Sequence, residues 1–446
     1  MNIKDFAKKL LDRAIEKGFS DAEVYLAGGT SFSVQTLNGE IEKYQNSANR
    51  GISFRGTYKE KMGYSYSEWI DDGAIDIIIT EAMQNSEILE EEEQDKLFAD
   101  YKNEKYSEVC AFSEDLQKIS IEEKIKAAFT MENAAKASDE SIKAVDYNGV
   151  SYGEGSTLIM NTYGLNLEHK SNSASGYSYA RAVKDGETKT GSEYWDGINW
   201  NEFLPEKIGE KAGKEAVSKF GAKPVKSGKY KIVMKNETFA SLFSAFTSVI
   251  LADAAQKGLS LLAGKLNEKI ASDIFTLRDD PIYPDPLRAS SFDSEGVATY
   301  NKAVIENGIF KTFLHNLKTA SKDGVKSTGN ASGGYKSPIK VSPKNLYVQP
   351  GNISLNEIIK QADGGLYITD LSGLHSGTNS VSGDFSLLAE GYLIENGGIG
   401  KPVEQITVAG NFFDMLKDIE GVADDLWFSS IGSPAVLLGG LNIAGE

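Results

Sequence analysis

The sequence predicts an α+β protein of two domains, built mostly of antiparallel sheets with flanking helices. Three observations carry this. A few short segments repeat apolar residues at helical spacing, whereas long stretches alternate β-branched or aromatic residues with Ser and Gly. Asn38-Gly39, Asp185-Gly186 and Asn307-Gly308 punctuate those stretches as turn signals. A Gly/Pro/Lys stretch from Phe220 to Gly228 separates two periodic halves, giving an N-terminal α+β domain over 1–219, a linker over 220–228 and a β-rich C-terminal domain over 229–446.

In chain order, Ile3, Phe6, Ala7, Leu10, Leu11, Ala14 and Ile15 form one helical stripe, ended by Gly18 as a C-cap. From Ser20 to Glu68 the pattern is antiparallel strands: AEVYLAGG, TSFSVQTLN after it, the Asn38-Gly39 turn, then a pair within Arg50–Glu68. Helical spacing returns near Asp72–Asn85. It appears again at Ile121–Lys136, where Ser120 and Glu123 have the spacing of a capping box. Ser141–Trp195 reads as long strands turning at Tyr147-Asn148-Gly149, Tyr163-Gly164 and Asp185-Gly186, followed by a helix over Leu204–Lys219.

The second half opens with a strand at Tyr230–Met234 and a helical stretch from Glu237. Three prolines make Asp279–Leu287 an extended loop. Ala298–Leu314 is a hairpin about Asn307-Gly308, and Ser327–Ser337 reads as a mobile Gly/Ser stretch. Strands broken by Gly and Ser fill Gly365–Asn411, and Ala435–Ile443 is the last strand. The 44 glycines exceed the usual ~7%, which fits many turns or a groove where an extended chain meets backbone.

Composition removes several function classes. Against 47 Lys and Arg stand 64 Asp and Glu, a net charge of −17, so clustered positive charge for a phosphate backbone is lacking and no nucleic-acid binding is expected. The run Glu90–Glu93 reads as a solvated helix end or loop. Lys and Asp residues interrupt the first helix, so it is no signal peptide. Pro434 and several glycines break up the long uncharged C-terminal stretch, so no membrane span is expected. The single Cys110 allows no internal disulfide and reads as a small buried hydrophobe, consistent with a cytoplasmic protein.

The chemistry that remains is sparse. His169, His315 and His375 are far apart in sequence, so no two-histidine zinc helix exists. His169 reads as a surface strand residue and His315 as a core or strand-end residue. His375 lies in a Gly/Ser-rich loop and is the functional candidate among them, with Ser376 and Asp384 as partners in a conceivable hydrolase. Gly149-Val-Ser151-Tyr-Gly153 matches GxSxG but reads as a turn between strands, and Pro338 and Ile339 spoil the helical setting of Ser337 and Lys340. No phosphate-binding glycine motif is present.

Several stretches do carry a resemblance: Gly258–Ser272 (GLSLLAGKLNEKIAS) with Leu277–Asp280 (LRDD), Ser382–Ser386 (SGDFS) with Glu390–Gly397 (EGYLIENG), Pro402–Asn411 (PVEQITVAGN), and Arg50–Gly56 (RGISFRG). In order, over nearly the whole chain, they resemble the TldD/PmbA family, the modulators of DNA gyrase also described as microcin-processing peptidases. Its metal-bearing members carry a His-Glu-x-x-x-His helix and a C-terminal cysteine ligand. Counted back from Gly258, those motif positions fall on Phe243, Ser244 and Ser248, with Asp253 at a following acidic position. Ser429–Pro434 (SSIGSP) has no cysteine.

The resemblance is therefore to the PmbA (TldE) kind, without the metal set. It implies a cytoplasmic, non-metal subunit of a metallopeptidase complex that degrades or processes unfolded and leader peptides. Zinc is expected in a TldD-like partner and none in this chain. The Gly373–Gly391 segment, with His375, Ser376, Asp384 and Phe385, is the candidate surface for peptide or subunit contact. The alternative is a stand-alone homodimeric module that binds peptides or proteins without catalysis.

Overall fold

The computed structural model describes residues 3–88, 95–283, 287, 289–428 and 431–446. The acidic run Glu90–Glu93, the Pro284–Pro286 part of the proline-rich segment and Ser429–Ser430 lie outside the described residues. The fold is α+β with antiparallel pairing dominant, as the sequence predicts.

The first half is built on one long sheet. Its strands are β1 (Phe19–Leu37), β2 (Glu40–Tyr58), β3 (Lys61–Ser67), β4 (Ile142–Asn161), β5 (Asn166–Lys184) and β6 (Glu187–Gly197), in the order β3-β2-β1-β4-β5-β6. Every pair is antiparallel. At 19 residues, β1 spans roughly 60 Å. AEVYLAGG and TSFSVQTLN are one strand because Gly28-Gly29 does not break it: a Cβ on Gly29 would stand 2.2 Å from the Glu154 carbonyl oxygen, so the pair admits close approach of β4 rather than a turn. The β1–β2 turn does fall on Asn38-Gly39, both at positive φ (55° and 81°), the geometry of a type I′ hairpin.

Two helix pairs cover this sheet. α1 (Ile3–Glu16) and α2 (Asp72–Ile88) pack on one end of it, burying Phe6, Leu10, Ile78 and Ile79 against Val24, Ile52 and Phe54. Ile3 and Ile15, read as part of the first stripe, lie at its margin and are 42% and 45% exposed. After the short α3 (Glu114–Lys118), α4 (Ile121–Ala137) starts with the expected capping box of Ser120 and Glu123, and it packs with α5 (Pro205–Ser218) at the other end.

Tyr147-Asn148-Gly149 is not a turn; it lies inside β4. The Asn148 amide is buried and donates to Thr36 Oγ1 (2.9 Å) and the Ala128 carbonyl (2.8 Å), so this asparagine ties β4 to β1 and α4. Gly149–Gly153 likewise sits within the strand, which removes both the turn reading and a nucleophile elbow. Cys110 is exposed, because the segment around it, Glu104–Ser113, runs outside any helix or strand and packs only part of its side chains.

In the second half, β7 (Gly228–Met234) lies between Leu366–Ser372, to which it is parallel, and Val436–Ala444. Asp384–Glu395 and Gly398–Asn411 continue the sheet, and Thr407–Ala409 pairs back onto Asn442–Ala444. The sheet thus closes into a small five-stranded ring, with Ile419–Val422 as an outer strand. A second sheet holds Lys302–Glu306 and Ile309–Phe310, hinged at Asn307-Gly308 as expected, with Leu277–Asp279, Leu346–Val348 and Ile431–Gly432. α6 (Asn236–Ala245) fills the space between the sheets with Phe239, Leu242 and Phe243.

Ser327–Ser337 is more ordered than its composition suggests. Ala331–Ser332 pairs with Lys340–Val341, and the fully buried Asn330 donates to Asp279 Oδ2 (2.8 Å) and the Ser342 carbonyl (3.0 Å).

Candidate functional site

Phe243, Ser244 and Ser248, the positions that the resemblance sets against the metal motif, lie at and just beyond the end of α6. The chain does not continue as one helix: after Ala245 it tightens into a single 3-10 turn, Thr247–Ile250, then a short helix, Ala252–Gln256. Phe243 is 1% exposed, with its ring 5.3 Å from Phe412 and 6.4 Å from both Phe239 and Phe275. Next to it, Phe246 stacks on Phe412 at 4.3 Å. Ser244 is exposed and Ser248 half-buried. Asp253 keeps one buried oxygen without a partner, and Lys257 lies 3.6 Å from the other.

A phenyl ring offers no lone pair to a metal, and two neutral hydroxyls are weak ligands for Zn²⁺. These positions do not fit a zinc site. Among the described residues, no group of three or more His, Cys, Asp or Glu is placed to hold a metal ion. His315 is buried with Nδ1 unpartnered, and His169 is half-buried beside Phe292 at 6.3 Å. Burial pulls both imidazoles below their ordinary value.

His375, Ser376, Asp384 and Phe385 are brought into one region but not into one site. His375 and Ser376 are exposed on the loop after Leu366–Ser372. The Ser376 hydroxyl donates to the Gly373 carbonyl (3.3 Å). Asp384 accepts from Ser382 Oγ (2.8 Å) and Asn411 Nδ2 (3.0 Å), which hold its carboxyl below the usual range. The carboxylate is spent on fixing the loop, and no bond joins it to His375, so a catalytic triad is not assembled. Phe385 points inward: it is 3% exposed and packs on Phe246, so its ring is no surface contact. Leu388–Leu393 is paired on both sides, and Asp384 and Ser386 bond to Asn379 and Gly377 of the preceding loop, so this backbone cannot take up a further strand.

A different cluster lies where the two halves meet. Arg55 on β2 donates through Nε to Glu23 Oε1 on β1 (2.7 Å), and its Nη1 lies 3.5 Å from Glu295 Oε1 in the second half. All three side chains are under a tenth exposed. Burial opposes the Arg55 charge, but the two carboxylates hold it ionised. Burial pushes Glu295 up to about 8 and raises Glu23 as well. Glu295 Oε2 accepts the Leu317 N–H (2.8 Å) at the start of the helix Leu317–Asp323. Beyond it, Asp293 accepts backbone N–H groups from Glu295, Val297 and Ala331. Asp279 is salt-bridged to Lys302 (3.1 Å).

Arg55, Glu23 and Glu295 floor a cleft of about 830 Å³ between β1–β3 and the Gly333–Ile339 loop. Its members escape hydrophobic pattern reading, because a lone charge in a strand is normally surface. The signal available was Arg55 standing between Phe54 and Gly56, flanked by buried residues on both sides.

Comparison with known proteins gives a consistent picture. Three family models match: PmbA/TldA metallopeptidase domain 1 over residues 22–86, the central domain over 114–220 and the C-terminal domain over 227–445. The Escherichia coli O157:H7 protein named Metalloprotease PmbA is 27% identical over 454 residues, covering 98% of this chain and 97% of that protein. A Haemophilus influenzae homologue of that metalloprotease is 31% identical over 337 residues, covering 74% of this chain and 71% of its own length. A Thermotoga maritima crystal structure, described as a candidate modulator of a DNA gyrase, superposes with a TM-score of 0.93 at 33% identity, covering 99% of this chain and all of that one.

Proposed function

Because the chain belongs to the PmbA/TldD metallopeptidase family, we propose that it is the non-metal subunit of a two-part peptidase. It acts by assembly and by guiding extended, unfolded or leader peptides to a metal-bearing, TldD-like subunit that holds the zinc. The observation that carries this is Phe243. Where the resemblance puts a metal-binding histidine, the chain has a phenyl ring packed among Phe239, Phe275 and Phe412, followed by the hydroxyls of Ser244 and Ser248. A serine there cannot serve as general base for a metal-bound water.

The partner edge we favour is on β2. Residues 40–50 are exposed on both faces, and β3 covers only Ile52–Tyr58 of that edge. An uncovered strand of this length is a template for pairing with another chain. No direct contact with nucleic acid is part of this reading, since the net charge is −17.

Two measurements test it. Metal analysis of the purified chain after incubation with Zn²⁺ and gel filtration should find far less than one zinc per chain. Mass measurement should find a complex when a metal-bearing family member is added. Stoichiometric zinc on this chain alone, or no complex in the mixture, would overturn the proposal.

A further inference from the structure

The cleft above the Arg55 network has features that ion pairing within the chain does not use up. Its volume of about 830 Å³ lies within the ~300–1,000 Å³ of ordinary ligand sites. One wall is the sheet, with Tyr25, Tyr64 and Tyr66, and the other is the Gly333–Ile339 loop, with Tyr335. The loop is clasped to the sheet at Glu68, which accepts from the Tyr335 hydroxyl (2.8 Å) and pairs with Lys336 (2.6 Å).

The three cations of the lining are each committed. Lys336 goes to Glu68, Lys318 to Asp95 at 3.4 Å, and Arg55 to the buried pair Glu23 and Glu295. Five carboxyl groups face these three cations; burial keeps the Glu295 carboxyl protonated at neutral pH, and the remaining four outnumber the cations by one. The carboxylate left over is Glu81 on α2, exposed and without a partner among the described residues. Tyr66 is 55% exposed on the same lining. At the floor, Arg55 Nη2 and Glu23 Oε2 are buried with no hydrogen-bond partner, one unmet donor and one unmet acceptor.

A peptide backbone supplies the complement of that pair, a carbonyl and an N–H. Tyrosine faces and the unpaired Glu81 carboxylate supply the complement of a cation, with a tyrosine contact contributing about 0.5–2 kcal/mol. We propose that this cleft binds an extended peptide segment through a lysine or arginine side chain. The inference rests on the peptide-handling reading above and adds to it a side-chain preference and a place. Acidic segments meet like charge and are rejected.

The test is calorimetric titration of the full chain at near-physiological salt. The probes are blocked hexapeptides of alanine and serine with a central lysine, alanine or glutamate. The lysine peptide should bind at least about tenfold tighter than the other two. Glu81→Gln and Tyr66→Ala should each weaken it about three- to tenfold with melting temperature unchanged, while Glu122→Gln, at the exposed start of α4, should leave it as it is. Equal affinity for the three peptides, no binding of any, or a lysine preference that survives both cleft variants would overturn the inference. Partner-dependent cleavage of an unstructured substrate is read separately. If cleavage persists without a lysine preference, only the cleft assignment fails; if cleavage is absent, the two-subunit reading fails.

Discussion

At the scale of single residues, two side chains decide most. Phe243, which the resemblance puts opposite a metal-binding histidine, is in its surroundings a core residue. Phe243→Ala should therefore destabilise the chain by about 3–5 kcal/mol, read from the urea midpoint, as expected for a large buried ring. A loss under about 1 kcal/mol would show that the ring does not support the core. Glu295 makes the second prediction. Its ordinary value is 4.5 and burial raises it to about 8. Between those values the folded chain holds a proton that the unfolded chain releases, so stability falls as pH rises through that window. Glu23 and Asp293 shift in the same direction. Relative to Glu295→Gln, the wild type should lose at least ~2 °C of melting temperature between pH 5.5 and 8.5. Parallel curves for the two proteins would refute the assignment.

At the scale of elements, local signals were read correctly where one residue type has one physical use. Ser120 and Glu123 form their capping box, and Ser120→Ala should cost about 1 kcal/mol by thermal or denaturant unfolding. Asn38-Gly39 makes its hairpin for the same reason. The misreadings come from residues with two uses. Gly28-Gly29 looks like a break but lets strands approach, and Asn148-Gly149 looks like a turn but carries a buried amide bridge. Asn330 turns a Gly/Ser stretch into packed structure through a bond to Asp279, 51 positions away, which no local pattern reveals. The exposed edge of β2 carries the prediction proper to this scale. Ile41 and Tyr44 are 45% and 52% exposed there. Ile41→Lys with Tyr44→Lys should abolish the complex with a metal-bearing family member by mass measurement while the isolated chain keeps its circular dichroism spectrum. A complex of unchanged mass would move the contact elsewhere.

At the scale of the whole molecule, the architecture joins a long antiparallel sheet to a small closed ring. The α+β class was legible from periodicity and turn signals, and the family from ordered motifs spread along the chain. The ring closure was not, because it depends on Thr407–Ala409 meeting Asn442–Ala444, a pairing between strands far apart in sequence. Nor was the Arg55–Glu23–Glu295 network, whose members sit in three separate segments and meet only when the two halves dock. That junction also holds the Lys189–Glu404 pair and the Ser218–Tyr392 bond. The two halves thus share polar contacts at several points, and the cleft floored by Arg55 lies along their seam.

A non-metal subunit cannot cleave peptides by itself. The direct measurement is hydrolysis of an unstructured peptide by the purified chain, with and without a chelator, and again with a metal-bearing family member added. The expected result is no cleavage by the chain alone and chelator-sensitive cleavage in the mixture. Chelator-sensitive cleavage by this chain alone would contradict it.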